Sequence, residues 1–167
     1  MRNHAKPLHS DPKPAPTRTG VARERPAYGF ACEVEHEDRS MRVDLPASGG
    51  GGSSGPDPAQ LLRASLGACF VMSCRLWAER LQLPVDDVRL EIVCEYDPSA
   101  QLAEDGSPAS TWERVRFDAT VVSAAAEAEV ARLVELAHRH SPMLALLAPR
   151  VERAFSLRVV RPDAARP

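Results

Sequence analysis

The stretch Gly55–Cys74, GPDPAQLLRASLGACFVMSC, decides the fold of this chain of 167 residues. Asp57 followed by Pro58 predicts the start of a helix, because Asp caps a helix N-terminus and Pro fits its first turn. The helix is expected to run to about Leu83, where Pro84 stops it. The stretch therefore predicts one long helix.

The middle of this helix, from Ala64 to Cys74, carries no charged residue on any face. We therefore predict that it is buried all round. A fully buried helix in so small a protein needs cover on every side, and one sheet does not wrap it. We expect a second copy of the chain to supply the remaining cover, giving a homodimer.

Strands are predicted on both sides of the helix, which gives an α+β fold. Upstream, YGFACEVEHE (28–37) alternates as a strand with one buried face does, and MRVDLP (41–46) predicts a second short strand. ASGGGGSSG (47–55) predicts a flexible loop. Downstream, VRLEIVCEYD (88–97) and TWERVRFDATVV (111–122) predict the antiparallel strands of a hairpin. The apolar face of the first strand consists of Tyr28, Phe30, Cys32 and Val34. The apolar face of the first strand of the hairpin consists of Leu90, Ile92, Cys94 and Tyr96.

Two further helices and a last strand are predicted near the C-terminus. Apolar residues at i, i+3, i+4 and i+7 indicate an amphipathic helix that ends near His140. SPMLALLA (141–148) predicts another short helix, and FSLRVV (155–160) predicts the final strand. The apolar positions of the amphipathic helix are Val130, Leu133, Val134 and Ala137.

Composition is that of a globular protein with one core, since 44% of the residues are apolar. The formal net charge of -2 provides no electrostatic attraction to nucleic acid or to an anionic membrane, and neither is an expected partner. No secretion signal is evident, and no uncharged apolar run reaches the ~18 residues of a membrane-spanning helix. The four cysteines do not form the pattern of a disulfide scaffold, so we expect a cytoplasmic protein.

Three segments are expected along the chain. Residues 1–26 contain five prolines and few apolar residues, which predicts a disordered, mildly basic tail. Residues 27–161 form the predicted folded domain. Residues 162–167 are predicted to be a C-terminal tail.

The cysteines differ in what the sequence allows them to do. Cys32 and Cys94 lie on apolar strand faces, where packing is the usual role of a free cysteine. Cys74 lies five residues beyond Cys69, which in a helix gives a rise of ~7.5 Å and faces ~140° apart, so the two cannot form a disulfide. Cys69 itself remains either a packing residue or a nucleophile, because an apolar setting makes a thiol unreactive unless a cation is near.

Several short motifs surround Cys69. A glycine pair and Gly-Pro precede the helix, a double leucine opens it, and LGAC with a following methionine occupies its middle. Over roughly Phe30 to Val160 the chain resembles the OsmC/Ohr family of thiol peroxidases; VDLP (43–46) and HRHSPMLALL (138–147) are also similar to family segments. The residues that carry the resemblance are Gly49, Gly50, Gly55, Pro56, Pro58, Leu61, Leu62, Leu66, Gly67, Ala68, Cys69 and Met72.

The resemblance implies a fold and an activity. The fold is an intertwined homodimer, with a long central helix from each chain surrounded by antiparallel strands. The activity is the reduction of organic hydroperoxides, with Cys69 as the peroxidatic thiolate that becomes a sulfenic acid. No cofactor or metal is implied.

The resemblance also assigns roles at particular positions. Ser141 stands where the family has its resolving cysteine, so the thiol that regenerates Cys69 is expected to come from outside the chain. Ala59 stands where many members carry a glutamate that orients an arginine. Arg39 or Arg42 is the candidate cation beside the thiolate, the alternative being an exposed strand charge.

The two histidines next to Ser141 have several interpretations. His138 and His140 suit the C-terminus of a helix, where positive charge is stabilised, and their H-x-H spacing lacks the further ligands of a metal site. His140 is also a candidate general acid for the leaving alkoxide.

Three functions follow as hypotheses. The first is a one-cysteine peroxidase linked to oxidative stress. The second is a non-catalytic dimer that binds a small apolar ligand or acts as a thiol redox sensor. The third is a structural dimer in which Cys69 only packs.

Overall fold

The computed structural model describes residues 20–24, 29–96, 112–147, 149 and 151–164. Their contacts form two compact units, with the boundary between Pro58 and Ala59. Each unit contains one three-stranded sheet. The single domain over residues 27–161 stays a prediction.

The N-terminal unit contains an antiparallel sheet in the order β1-β2-β3. Its strands are β1 (Val21–Glu24), β2 (Cys32–His36) and β3 (Arg39–Val43). The prediction of disorder for residues 1–26 is wrong at β1, which pairs along the whole of its length with β2. Pairing of backbone groups at a sheet edge needs few apolar side chains, so composition did not reveal this strand. Residues 1–19 lie outside the described residues.

The predicted buried face of the first strand is only partly correct. Cys32 and Val34 are half-buried on β2, but Phe30 precedes the strand and is 66% exposed. Ala31 is buried instead. Tyr28 lies outside the described residues.

The glycine-rich segment 47–55 is ordered, which corrects the prediction of a flexible loop. The carboxylate of Asp44 is buried and its Oδ2 accepts hydrogen bonds from the Gly52 N–H at 3.0 Å, the Ser54 N–H at 3.0 Å and the Ser54 hydroxyl at 2.8 Å. These bonds, led by that of the Ser54 N–H, lower the pKa of Asp44. A charged acceptor that binds three donors holds the segment in one conformation.

Two glycines let this segment lie directly against β3 and the residues that follow it. A Cβ at Gly55 would overlap the carbonyl oxygen of Arg42, and a Cβ at Gly51 would overlap that of Leu45. Glycine is required at both positions because the backbones approach too closely for any side chain.

The C-terminal unit is built on the long helix α1 (Pro58–Leu81). The predicted start is confirmed, and the helix ends two residues before the predicted Leu83. Gln82 adopts a left-handed conformation, with φ of 54°, and the Leu83 N–H bonds the Ala78 carbonyl at 3.0 Å. This Schellman-type ending terminates the helix before Pro84 is reached.

Burial along α1 follows two stripes. One stripe is buried in the core and consists of Leu66, Phe70, Cys74 and Ala78. A second stripe is exposed and consists of Ala64, Ala68, Met72 and Leu76, each two residues before a member of the buried stripe. Positions two residues apart lie on nearly opposite sides of a helix. A single chain therefore covers only one side of this helix, as expected, and burial of the other side by a second copy stays a prediction.

Helix α1 is also long and apolar enough, by length and composition, to cross a membrane. The core helix of a globular protein meets the same criterion, and one side of α1 packs into the core cluster of this unit. Composition therefore does not distinguish the two environments.

The sheet of this unit has the order β4-β5-β6. The predicted hairpin is confirmed as β4 (Val85–Tyr96) and β5 (Trp112–Ser123), which pair antiparallel. Strand β6 (Glu152–Val160) pairs parallel with β5, so the prediction of antiparallel strands is wrong there. The helix α2 (Glu127–Arg139) connects them and returns the chain to the starting end of the sheet, as a parallel pair requires.

Two short segments differ from their predictions. The helix predicted over residues 141–148 is only a 3-10 turn at Leu144–Leu146. The predicted tail 162–167 begins with another 3-10 turn, Pro162–Ala164. Residues 165–167 lie outside the described residues.

The core of this unit lies between the two helices and the sheet. The predicted apolar face of α2 is confirmed, since Val130, Leu133, Val134 and Ala137 are all buried. Its other large buried side chains are Leu66, Phe70, Val115, Phe117 and Val121.

Candidate functional site

Cys69 and Ser141 meet in the C-terminal unit. The Cys69 Sγ lies 3.3 Å from the Ser141 Oγ, within hydrogen-bonding distance for a sulfur atom. Cys69 is half-buried in the middle of α1, whereas Ser141 is 2% exposed and follows the end of α2. Two helices thus place a thiol and a hydroxyl side by side.

The end of α2 fixes the Ser141 side chain. The His140 N–H bonds the Leu136 carbonyl at 3.0 Å and completes the last helical turn. The Ser141 Oγ then accepts a hydrogen bond from the Leu144 N–H at 3.4 Å, and the Ser141 carbonyl accepts one from the Ala145 N–H at 3.2 Å. The hydroxyl can donate its hydrogen to the sulfur of Cys69 or accept one from the thiol, and only the first direction remains once the thiol is ionised.

This geometry restricts the chemistry that the pair can perform. A hydrogen bond donated to a thiolate favours the charged form, which is the nucleophile. Serine cannot condense with an oxidised cysteine to give a disulfide. Ser141 can therefore orient and stabilise the sulfur of Cys69, but it cannot resolve it.

The other cysteines of this unit have the packing roles predicted for them. Cys74 is fully buried, and burial raises the pKa of its thiol to about 12. Cys94 is half-buried against the core, and burial raises its pKa although the charge of Arg63 opposes the shift. Cys69 differs from both because a hydroxyl contacts its sulfur.

The remaining candidates lie in the N-terminal unit. Cys32 is half-buried on β2, opposite Val43 of β3. Arg39 and Arg42 are exposed on β3. The assignment of either arginine as the cation of the thiolate stays a prediction. Ala59, in the first turn of α1, supplies no charge.

The two histidines near Ser141 have different surroundings. His140 is exposed, and the centroid of its ring lies 5.3 Å from that of Trp77. The Arg80 guanidinium also contacts the Trp77 ring, at 5.1 Å from its centroid. His138 is half-buried, with its ring 5.4 Å from that of Phe155. The role of His140 as a general acid stays a prediction.

Among the described residues no group of three or more His, Cys, Asp or Glu side chains is placed to hold a metal ion. The two histidines of the H-x-H pair pack against different aromatic rings. The contact between the tilted rings of His140 and Trp77 was not predicted, because the sequence carries no signal that relates positions so far apart.

A family model described as OsmC-like protein matches residues 50–154. No curated protein sequence matches the chain significantly. An OsmC-like protein of Mycoplasma pneumoniae is 12% identical with a TM-score of 0.73, over 86% of this chain and 97% of that one.

Two similar structures carry names that refer to hydroperoxides. The organic hydroperoxide resistance protein OsmC of Legionella pneumophila is 21% identical with a TM-score of 0.69, over 87% of this chain and 98% of that one. The organic hydroperoxide resistance protein OhrB of Bacillus subtilis is 22% identical with a TM-score of 0.58, over 85% and 98%. At these identities the structures establish a shared fold.

Proposed function

The chain belongs to the OsmC-like protein family, and on that premise we propose that it reduces organic hydroperoxides through Cys69. The observation that carries the proposal is the 3.3 Å contact between the sulfur of Cys69 and the hydroxyl of Ser141. The names of two structural relatives, which refer to organic hydroperoxide resistance, support the choice of substrate.

The proposed reaction begins with the Cys69 thiolate. Its sulfur attacks one oxygen of the peroxide, a sulfur–oxygen bond forms, and the oxygen–oxygen bond breaks. The alkoxide that leaves takes up a proton and departs as an alcohol, while Cys69 becomes a sulfenic acid. Ser141 acts as a positioning residue, which orients the sulfur and donates a hydrogen bond to it.

The return to the thiol uses an external reductant. A first thiol attacks the sulfur of the sulfenic acid, releases water and forms a mixed disulfide with Cys69. A second thiol attacks that disulfide, leaves as the oxidised reductant and restores Cys69. The hydroxyl of Ser141 cannot take the place of the first thiol, so the cycle runs with one cysteine.

The test is consumption of cumene hydroperoxide in the presence of excess dithiol, measured for the parent protein and for two matched variants. Cys69→Ser should lose turnover, and Cys94→Ser, which alters a half-buried cysteine of the same unit, should keep it. Turnover that survives in Cys69→Ser would overturn the proposal. Reversible oxidation of Cys69 without turnover would also overturn it, and would favour a redox sensor.

We also propose that two copies of the chain associate through the exposed stripe of α1 formed by Ala64, Ala68, Met72 and Leu76. Met72 is 71% exposed and Leu76 42% in the single chain. Large apolar side chains grouped on one helix face are typical of a protein–protein interface. The same stripe lies on the helix that carries Cys69, so association would also shield the reacting sulfur from water.

A further inference from the structure

A groove between α2 and β6 consists of two adjoining cavities. The first has a volume of about 240 Å³ and is lined mainly by apolar side chains, among them Val134, Phe155 and Leu157. The second has a volume of about 360 Å³ and is lined by charged and polar side chains together with Leu144 and Ala145. Glu135 and His138 line both cavities. The groove therefore has an apolar part and a polar part that meet at these two residues.

His138 lies where the two parts meet and has an unused hydrogen-bonding atom. Its Nε2 is buried and has no hydrogen-bond partner among the described residues. The ring is held by Phe155, at 5.4 Å between ring centroids, and by Phe117, at 6.4 Å. A buried polar atom without a partner is costly and rare in native structures, which indicates that a partner is missing.

The polar part of the groove carries one unbalanced positive charge. Arg139 forms an ion pair with Glu135, so these two charges cancel. Arg153 also lines this part, and its guanidinium donates to the Leu147 carbonyl at 2.7 Å. Within the described parts of the chain Arg153 pairs with no carboxylate. The unbalanced charge therefore belongs to Arg153.

We propose that this groove binds a medium-chain fatty acid, with its alkyl chain against Val134, Phe155 and Leu157 and its carboxylate at Arg153 and His138. The Arg153 guanidinium supplies the charge that a carboxylate requires. The His138 Nε2, carrying its hydrogen, donates to the same carboxylate and gains the partner it lacks. An apolar pocket with a few converging polar groups is the usual form of a small-molecule site.

This site is separate from the proposed peroxidase reaction. Cys69 is not among the described residues that line either cavity. Ser141 lines the polar cavity, but none of the five residues assigned to the carboxylate or the alkyl chain takes part in the proposed reaction at the sulfur. Binding is therefore expected in Cys69→Ser, which allows the two proposals to fail independently.

The test is isothermal titration calorimetry of the full chain with decanoate below its micelle concentration. Arg153→Gln should weaken binding by roughly tenfold or more, because the carboxylate loses its charged partner. Arg158→Gln is the matched control. It lies on the same strand but at an alternate position, which faces the other side of the sheet, and its affinity should equal that of the parent.

A second pair of variants tests the apolar part of the groove. Ala131→Phe adds a ring at an exposed helix position that lines the apolar cavity, and it should block decanoate. Ala128→Phe, exposed on the same helix outside the described lining of the groove, should not. No binding of decanoate to the parent, or equal binding by Arg153→Gln and Arg158→Gln, would overturn the proposal. Acetate bound as tightly as decanoate would overturn it too, because the alkyl chain would then contribute nothing.

Discussion

The sulfur of Cys69 and the hydroxyl of Ser141 lie 3.3 Å apart, although 72 positions separate the two residues in the sequence. Among the contacts of the described residues, it is the hydrogen bond that distinguishes Cys69 from the other three cysteines.

Ser141→Cys should form a peroxide-driven disulfide with Cys69. The present distance between sulfur and oxygen is close enough for small side-chain rotations to bring two sulfurs to the ~2.05 Å of a disulfide. Mass spectrometry without reductant should show the loss of two hydrogen atoms and a peptide that links the two positions. An intact fold that forms no such link would show that the two side chains do not meet in solution.

Ser141→Ala should slow the reaction of Cys69 with iodoacetamide at neutral pH several-fold, on the order of tenfold at most, because the thiolate loses a hydrogen-bond donor. Labelling at Cys69 is followed by peptide mass spectrometry. Ser156→Ala is the control, since its hydroxyl bonds Asp118 instead. An unchanged or faster rate in Ser141→Ala would exclude a stabilising role for the Ser141 hydroxyl.

Ala68→Glu should convert a dimer into a monomer, because it places a charge in the middle of the exposed stripe of α1. Light scattering coupled to gel filtration should report the mass of one chain in place of two. Ala128→Glu makes the same change at an exposed position of α2 and should remain dimeric. A parent protein that is already monomeric would contradict the proposed association.

Cys74 should make the protein less stable at alkaline pH. Its pKa is about 12 in the folded chain, against an ordinary value of 9.0, so above pH 9 the unfolded chain releases a proton that the folded chain keeps. The stabilisation is complete below the unfolded value and is lost as the pH rises toward the folded one. Between about pH 8 and pH 10 the loss should be ~1 kcal/mol.

Urea unfolding of the parent and of Cys74→Ala at these two pH values isolates this effect. Other groups that titrate are common to both proteins, and the cavity left by Cys74→Ala does not depend on pH. The difference in free energy of unfolding between the two proteins should therefore shrink at the higher pH. If the difference in free energy of unfolding is the same at both pH values, the Cys74 thiol has the same pKa in the folded and unfolded chains.

Gly55→Ala should destabilise the protein by about 2 kcal/mol, because its Cβ would overlap the carbonyl oxygen of Arg42 and backbone atoms cannot easily move aside. Gly49→Ala is the matched control, since a Cβ there would meet the side chain of Pro46 at an ordinary 3.8 Å. Thermal unfolding of both variants provides the comparison. Equal midpoints of thermal unfolding for the two variants would show that segment 47–55 shifts to accommodate the added methyl group at little cost.

Much of the fold was predictable because local sequence patterns determine helices and hairpins. The Asp57-Pro58 pair marks the start of α1, and the apolar spacing of α2 matches its buried face. The packing role of Cys74 followed from its place in an uncharged helical segment. Family motifs around Cys69 supplied the fold and the candidate sulfur. These inferences depend on residues that are neighbours in the chain.

Features that depend on contacts between residues far apart in the sequence were decided only by the tertiary structure. Strand β1 exists because its backbone pairs with β2, and the parallel direction of β6 follows from the path of α2. Asp44 orders a glycine-rich segment that by composition is a flexible loop. The sequence placed Ser141 at the position of a resolving cysteine, but only the packing of α1 against the end of α2 brought its hydroxyl to the sulfur. Local spacing reports which face of an element is apolar, whereas the contact between two side chains depends on how whole elements pack.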